Sequence, residues 1–450
     1  PRRLKANLPT VQPPQNKSEK QPSAPASQET VPGQPSEKKE RAHTNNGAKR
    51  KQHLEVEVVE ENVDPEDPRF NKDLARLYKT RDVIRYELIP MRFINKVYHV
   101  RTYTQNDEYF SGKAPDAPFL NSQYDGSFIA GMAQLRYMYA MPVERIVKLF
   151  NDNGFDMDKG TAHGLLRKTE RLFENLYHVL GDAIKEDTYI AGDETYHRVL
   201  VDTKNKNGKG IKKAYVWVVT AVNTGLVYYF YHDGSRREDI ILDYIKGYRG
   251  AFQSDGFSPY RKMAKWLLRL ACFQHVKRKL LDCGDDFDTK VIVRLANYIY
   301  HQDHKHIIGV DGWTERDHYK WRQQYALPVM RIIRKKLERM AADKSLLPKT
   351  EKYDAVHYML NEWDGLMNIF TRGDYHLDNN LVERLNRYIS LSRRNSLFFG
   401  SHTGARRAAM FYSLACSCRL QGVNFFKYIS DIINKAAAMP PRTPLSKYRD

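Results

Sequence analysis

One stretch of the sequence, from Thr188 to Gly256, constrains the fold more than any other. The segments DTYIAGDE, HRVLVDT, AYVWVVTAV and LVYYFYH are rich in β-branched and aromatic residues, and polar turns separate them. Such segments are typical of strands. A helix is predicted from Ser235 to Tyr248, and AFQSDG is predicted to be a short strand that ends in an acid. This succession of strands, helix and strand predicts an α/β fold with an RNase H-like sheet.

Two helical segments before this sheet predict a helix-turn-helix. Pro142 can occupy the first turn of the first helix, Gly154 ends it, and the second helix follows Asp158 or Lys159. Polar side chains along the second helix would face DNA in such a reader: Lys159, His163, Arg167, Lys168 and Arg171. The alternative is a helical hairpin that packs on the sheet that follows.

Composition divides the rest of the chain. Residues 1–52 are rich in Pro, Gln, Ser, Glu and Lys, which predicts a disordered linker. Residues 53–125 are predicted to form a small β unit, with two or three short strands between Val83 and Thr104. Four further units complete the predicted order: a helical DNA-binding region at 126–185, the first part of the RNase H-like core at 186–272, a mostly helical insertion at 273–370, and the second part of the core with a C-terminal tail at 371–450.

A surplus of positive charge points to an anionic partner. The 450 residues include 73 Lys and Arg against 54 Asp and Glu, a net charge of +19. Cations that neutralise phosphates release condensed counterions, so this surplus favours the binding of a polyanion. A basic protein without such a partner is the alternative.

Composition also predicts the compartment. No stretch approaches the ~20 apolar residues of a membrane span, and Pro1–Thr10 lack the apolar core of a secretory signal. Because the chain starts at Pro1 rather than Met, its native start can lie further upstream. Four cysteines are too few for a disulfide framework and are expected to be reduced thiols. We therefore expect a cytoplasmic, nucleoid-associated protein with no membrane partner.

Two aspartates of the predicted sheet are candidate metal ligands. Asp193 lies inside an apolar strand, where a carboxylate is costly unless a metal, hydrogen bonds or solvent satisfy it. Glu194 follows directly and must point to the opposite face. Asp255 ends the AFQSDG strand, a usual place for catalytic groups in open α/β sheets. Taken singly, each aspartate could instead be a capping or turn residue.

A third carboxylate, Glu383, lies in a predicted helix. Asp378 or Asn379 can act as its N-cap. Asn380, Glu383 and Arg387 then share one face, which could meet the sheet edge. The alternative is a solvated amphipathic helix with an internal Glu–Arg pair.

Six separated motifs follow one another along the chain: GDETYHRV, YVWVV, SDGFSPY, CFQHVKRK, LDNNLVERLNRYISLSRRNSLFFGSHTGARRAA and GVNFFKYISDII. Together they resemble the transposase of the IS66 insertion-sequence family, from about Phe128 to the C-terminus. The resemblance implies that Asp193, Asp255 and Glu383 are the family's DDE triad, with a mostly helical insertion before Glu383. The family's Cys-rich zinc motif is missing because no Cys precedes Cys272, so 53–125 is expected to be a degenerate, zinc-ribbon-like unit.

The resemblance implies a DNA transposase. Its three acids would hold two Mg²⁺ ions, or Mn²⁺ in their place, for attack of water at each transposon end and then of the freed 3′-hydroxyl on target DNA. The expected partners are double-stranded terminal inverted repeats and target DNA, with at least a homodimer to pair two ends. An RNase H-like nuclease or resolvase is one alternative, and a transposase-derived non-catalytic DNA-binding protein is another.

Further residues near the acids are candidates for DNA contact. Tyr196, His197 and His275 lie close to them in sequence or motif. Cys272 and His275 form a C-x-x-H element, but two ligands do not make a zinc site, and zinc is not expected. A basic series suits phosphates, with a merely solvated basic helix as the alternative: Arg384, Arg387, Arg393, Arg394, Arg406 and Arg407.

Overall fold

A computed structural model describes residues 122–202, 210–284 and 286–438 of the chain, and shorter stretches between 68 and 119. The predicted linker at 1–52, the expected strands at 83–90 and the tail at 439–450 lie outside the described residues. The chain divides into two compact units, 1–85 and 86–450. In the first unit, short turns at 68–69 and 73–74 are described. All elements below belong to the second unit.

A two-stranded hairpin is the first regular structure of this second unit. Strand β1 (Thr102–Gln105) pairs with β2 (Glu108–Ser111) in antiparallel register. Residues 91–95, which fall in the predicted β run, form no strand. The observed β structure therefore begins near the end of that run and extends past it.

Three helices precede the main sheet: α1 (Gly126–Ala133), α2 (Val143–Asp152) and α3 (Lys159–Ala183). Pro142 is the N-cap of α2, and Gly154 (φ +82°) lies in the turn after it, a conformation that glycine adopts without strain. The Asp158 carboxylate caps α3 by accepting a hydrogen bond from the Thr161 amide at 2.9 Å. One face of α3, which includes Leu165 and Phe173, is buried in the core.

A five-stranded mixed sheet forms the centre of the fold. Its strands are β3 (Tyr189–Leu200), β4 (Ile211–Ala221), β5 (Val227–Phe230), β6 (Ala251–Ser254) and β7 (Leu268–Ala271). The order is β5-β4-β3-β6-β7, with β3, β4 and β5 antiparallel and with β6 and β7 parallel to β3. Helices α4 (Glu238–Ile245) and α5 (Ser258–Lys262) lie on either side of β6 in sequence.

The sheet differs from the sequence prediction in three places. The segments DTYIAGDE and HRVLVDT form one continuous strand, β3, because β4 pairs with it from Ile190 to Leu200. Strand β7 was not predicted, since four residues with an arginine among them give little periodic signal. The helix expected over 235–248 is shorter at both ends and runs from Glu238 to Ile245.

Six helices follow β7: α6 (Phe273–Asp282), α7 (Phe287–Asp303), α8 (Glu315–Trp321), α9 (Leu327–Ala342), α10 (Glu351–Asn361) and α11 (Trp363–Asn368). They surround a core of their own that continues onto β7 and the start of β3. A buried polar network crosses this core. Asp303 accepts hydrogen bonds from Arg322 at 2.9 and 3.0 Å and contacts His318 at 3.0 Å.

Three long helices close the chain: α12 (Asn380–Asn395), α13 (His402–Leu420) and α14 (Phe425–Ala438). Helix α13 covers the edge of the sheet at β5. Its Ser413 and Ser417 hydroxyls accept hydrogen bonds from the backbone amides of Tyr229 and Val227, each at 2.8 Å. An edge strand whose amides are satisfied in this way cannot pair with another chain. Within the described residues, no helix is long and apolar enough to span a membrane.

Candidate active site

Helix α12 is fixed along β3 by three hydrogen bonds at seven-residue intervals. The Asn379 side-chain amide donates to the Gly192 carbonyl at 3.0 Å, and the Asn386 side-chain amide donates to Asp193 Oδ2 at 2.8 Å. The Arg393 guanidinium donates to the Tyr196 carbonyl. Seven residues are almost two full turns of an α-helix, so these side chains share one face. The helix therefore runs beside the strand that carries Asp193.

The prediction that Asn380, Glu383 and Arg387 form the face of α12 that meets the sheet is wrong in part. The Asn380 amide is bonded to the neighbouring Asp378 at 2.7 Å, and Arg387 is exposed. Glu383 lies one turn before Asn386 and is partly buried, so it alone of the predicted trio stays beside the docked face. The cation that reaches the strand is Arg393. Neutral amides meet the strand because their dipoles bond to its carbonyl and carboxylate without burying an ion.

Asp193 lies on β3, and Asp255 directly follows the neighbouring strand β6, close enough to affect Asp193 electrostatically. Burial raises the pKa of Asp193 well above its usual range, and the Glu194 and Asp255 carboxylates raise it further, although the Asn386 amide opposes them. Asp255 directly follows β6, and its Oδ1 accepts the Phe257 amide at 3.0 Å. A cation is stabilising beside a carboxylate whose charged form is disfavoured by burial and by neighbouring acids.

Glu194 points away from this pair, as strand alternation predicts. One of its oxygens is paired with Arg236, and the other accepts a hydrogen bond from the Tyr260 hydroxyl at 2.8 Å. Burial raises the pKa of Glu194, although Tyr260 and Arg236 both favour its charged form. The protein itself therefore supplies the partners of this acid.

The loop after Asp255 is held by residues from β7 and the helices that follow it. Gly256 donates its amide proton to the Tyr358 hydroxyl at 3.1 Å, and a Cβ at this glycine would overlap the Tyr358 ring. Arg269 donates to the Asp255 carbonyl at 2.9 Å and pairs with the buried Glu362. The helices after β7 thus fix the position of the second acid.

Glu383 lies beside His275, which was predicted to contact DNA, and beside Cys272 of the C-x-x-H element that was not expected to bind zinc. Its Oε1 lies 3.6 Å from His275 Nε2. Cys272 completes a group whose ligand atoms all lie within 4.8 Å of one another, and no other trio of His, Cys, Asp or Glu in the described residues is this compact. The three predicted acids are therefore not gathered around a single point. A two-ion site does not require this, since its ions lie about 3.5–4 Å apart.

Several predicted DNA-binding residues line one wide cleft between α3 and the start of α13. Glu170 pairs with Arg407 at 2.7 Å across it, and Glu144 pairs with Lys159 at 2.7 Å. Arg136 and Arg237 also line the cleft and were missed, because no periodic pattern marks them. The predicted residues in the cleft are Lys159, His163, Arg167, Arg171, Arg406 and Arg407.

The other predicted DNA contacts lie elsewhere. Arg393 and Lys213 approach the exposed Tyr196 ring, at 3.9 and 4.7 Å from its centroid. Lys168 lies over Phe119, 5.7 Å from the ring centroid. On α12, three of the predicted cations are exposed and outside the cleft lining: Arg384, Arg387 and Arg394.

The hypothesis that His197 contacts DNA is wrong for this conformation. His197 is buried, and its ring stacks on Phe399 at 4.1 Å between centroids. Burial lowers the pKa of His197 to about 4, so its ring is uncharged at neutral pH. Strand alternation sends it to the face opposite Tyr196.

Sequence comparison identifies the family. Residues 121–407 match the family described as "Transposase IS66 family". The chain belongs to the IS66 transposase family, as its motifs indicated.

Three relatives come from Sinorhizobium fredii (strain NBRC 101917 / NGR234), and each is described only as an uncharacterized protein. The protein y4jD is 25% identical in an alignment of 320 residues that covers 67% of this chain and 60% of y4jD. The protein y4qI is 23% identical in an alignment of 405 residues that covers 85% of this chain and 73% of y4qI. The protein y4hP is 27% identical in an alignment of 229 residues that covers 47% of this chain and 41% of y4hP. The match to y4jD thus spans less than two thirds of that relative.

Proposed function

We propose that this protein is a DNA transposase that cuts transposon ends and joins their 3′-hydroxyls to target DNA. Asp193, Asp255 and Glu383 are the acids that hold its divalent cations. The observation that carries the proposal is the docking of α12 on β3, which places Asn386 on Asp193. Glu383 lies one helical turn before Asn386 on the same helix. Such a protein would act in the cytoplasm, on the nucleoid.

The sheet supports an RNase H-like assignment of the core. Three antiparallel strands are followed by two strands parallel to the central one, in the order β5-β4-β3-β6-β7. Asp193 and Asp255 come from β3 and the end of β6, which are neighbours in this sheet. Catalytic groups collect at such strand ends in α/β proteins.

The donor set fits Mg²⁺ or Mn²⁺. The raised pKa of Asp193 reports negative charge that is crowded and poorly solvated. Glu383 Oε1 is buried without a hydrogen-bond partner among the described residues. Oxygen ligands of this kind suit hard divalent cations, which would activate the attacking hydroxyl and stabilise the leaving oxygen of a phosphodiester.

The surrounding residues orient these acids. Asn386 holds one oxygen of Asp193 and leaves the other available to a cation. Arg236 pairs with Glu194 and holds this neighbouring carboxylate in place. Tyr358 and Arg269 fix the loop that begins at Asp255.

The proposed DNA-binding surface is the wide cleft between α3 and the start of α13, called the basic cleft below. Helix α3 buries its apolar face in the core, and His163, Arg167 and Arg171 remain exposed toward the cleft. Contacts from such cations to phosphates position DNA without reading its sequence. We propose α2 and α3 as a DNA-binding helical pair and a homodimer or larger assembly as the form that joins two ends.

The test is a gel assay with labelled terminal-repeat DNA, unlabelled target DNA and Mg²⁺. We expect cleaved and joined products from the wild type and at least about 1000-fold less of both from Asp193→Asn, Asp255→Asn and Glu383→Gln, since each removes a ligand of the cations. Glu338→Gln, an exposed acid on α9, is the matched control and should behave as wild type.

The outcomes separate the alternatives. Joined products that require all three acids support a transposase. Cleavage without joining identifies a nuclease or resolvase, and a band shift without cleavage identifies a non-catalytic binder. Full strand transfer by Asp255→Asn would remove this acid from the mechanism.

A further inference from the structure

We propose that Cys272, His275 and Glu383 form a binding site for a four-coordinate transition-metal ion, with Zn²⁺ as its occupant. The site shares Glu383 with the proposed Mg²⁺ pair, and its other two ligands, Cys272 and His275, do not belong to that pair. Metal binding here does not depend on the chain being a transposase; only the effect on activity rests on the proposed function.

Two helices bring the three ligands together. Cys272 is the N-cap residue of α6, and His275 lies in the first turn of that helix, which gives the C-x-x-H spacing a compact geometry. Glu383 comes from the first turn of α12. The backbone amide of Asn379, the N-cap residue of α12, donates to Cys272 Sγ at 3.3 Å and so links the first turns of α6 and α12.

The distances suit ligands of one ion better than a direct hydrogen bond. His275 Nε2 and Glu383 Oε1 lie 3.6 Å apart, beyond the usual length of a hydrogen bond. With Zn–N and Zn–O bonds of about 2.0–2.1 Å, the edge of a tetrahedron is about 3.4 Å. All three ligand atoms lie within 4.8 Å of one another, so small side-chain rotations would bring them onto one centre.

Two polar atoms of this cluster lack a hydrogen-bond partner among the described residues. Glu383 Oε1 and His275 Nδ1 are both buried and have no hydrogen-bond partner among the described residues. A buried carboxylate oxygen without a donor is costly, and such an atom calls for a missing ion or water. An ion between Glu383 and His275 would satisfy the carboxylate directly.

The chemistry of the donors selects the metal. A thiolate and an imidazole are ligands of Zn²⁺ and Co²⁺, whereas Mg²⁺ prefers oxygen. Three protein ligands leave the fourth position open. An ion that binds the Cys272 sulfur would displace the thiol proton to solvent. No oxidation or reduction takes place.

An ion at this site would hold Glu383 beside Cys272 and His275. Under the proposed function, Glu383 would then be lost from the Mg²⁺ pair. Zn²⁺ is therefore expected to inhibit DNA cleavage at saturating Mg²⁺, and its removal by a chelator selective for Zn²⁺ is expected to restore cleavage.

The test is a titration of the full metal-free chain with Co²⁺, followed by absorption. We expect one equivalent to give thiolate-to-cobalt charge-transfer absorption in the near ultraviolet and the intense visible bands of a four-coordinate ion, both abolished by Zn²⁺. Cys272→Ser should remove the charge-transfer absorption, and His275→Gln should weaken Co²⁺ affinity at least about 10-fold. Cys283→Ser, at the other end of α6, is the matched control and should retain both signals.

Thermal melting establishes that each variant is folded. If Cys272→Ser does not fold, His275→Gln still tests the site, because the His275 side chain is 30% exposed and its replacement disturbs the core less. Co²⁺ binding without charge-transfer absorption, or equal absorption from the wild type and Cys272→Ser, would overturn the proposal. Mg²⁺-dependent cleavage is scored separately. A chain that binds Co²⁺ through Cys272 but never cleaves DNA keeps this site and loses the proposed function, and the converse result loses only this site.

Discussion

The Asn386 side-chain amide donates a hydrogen bond to Asp193 Oδ2 at 2.8 Å, joining α12 to the central strand of the sheet. The two residues are far apart in sequence, so this contact depends on how the C-terminal helices pack on the sheet. It stabilises the charged form of an aspartate whose pKa is raised by burial and by two neighbouring acids. Asn386 is thus a positioning residue of the proposed active site.

Asn386→Ala should reduce cleavage by about 10- to 100-fold, the usual effect of losing a residue that orients a metal ligand. The loss should fall on the single-turnover rate constant, with DNA affinity unchanged, because Asn386 is not in the basic cleft. Ser390→Ala is the control, since this hydroxyl donates to the Arg387 carbonyl of its own helix, 3.1 Å away, and bonds to no residue of β3 among those described. Equal losses from the two variants would contradict the positioning role.

Asp193→Asn should stabilise the metal-free protein, and more so as the pH rises. The folded pKa of Asp193 lies above its unfolded value, so its contribution to stability is fully present below pH ~3.9 and is lost as the pH rises through the folded pKa. The Tm of the variant should therefore match that of the wild type at pH 4 and exceed it at pH 8. Added Mg²⁺ should raise the Tm of the wild type more. A lower Tm for the variant at pH 8 would show that Asp193 is not under electrostatic strain.

Arg167 and Arg171 should contribute to DNA affinity through phosphates. Replacing both with Ala should weaken binding similarly for specific and nonspecific DNA and reduce the slope of log K against log salt concentration by about 2. The measurement is fluorescence anisotropy over a range of salt concentrations. Arg331→Ala with Lys335→Ala, two exposed cations of α9 outside the cleft, is the control pair. An equal change in slope for the control pair would argue against the cleft.

Asp303→Asn should destabilise the helices after β7. Burial alone raises the pKa of Asp303, but hydrogen bonds from His318 and Arg322 outweigh it and lower the pKa to about 2. Its contribution is present above pH ~3.9 and is lost as the pH falls through about 2. Urea unfolding at pH 7 should show a loss of about 3 kcal/mol, because Arg322 remains buried without its partner. The difference in free energy of unfolding between the variant and the wild type should become smaller as the pH falls from 4 to 2. Asp364→Asn, an exposed acid on α11, should have no such effect.

Local features of the fold were predictable because they depend on nearby residues. The turn at Gly154 and the cap at Asp158 mark the ends of α2 and α3, and alternation correctly sent Glu194 away from Asp193. Predictions failed where pairing outweighs local pattern. The polar residues after Asp193 suggested a break in β3, but the long partner strand β4 keeps it continuous.

The sequence by itself determined the family, the candidate acids and most of the helices and strands, since these follow from motifs and from short periodic patterns. Only the tertiary structure decided the strand order, the face on which α12 meets β3, and the meeting of Glu383 with Cys272 and His275. The contacts of α12 with β3 and of Glu383 with Cys272 and His275 join segments separated by about a hundred residues or more. Their geometry is set by how whole helices pack on the sheet, and neighbouring residues in the chain carry no record of it.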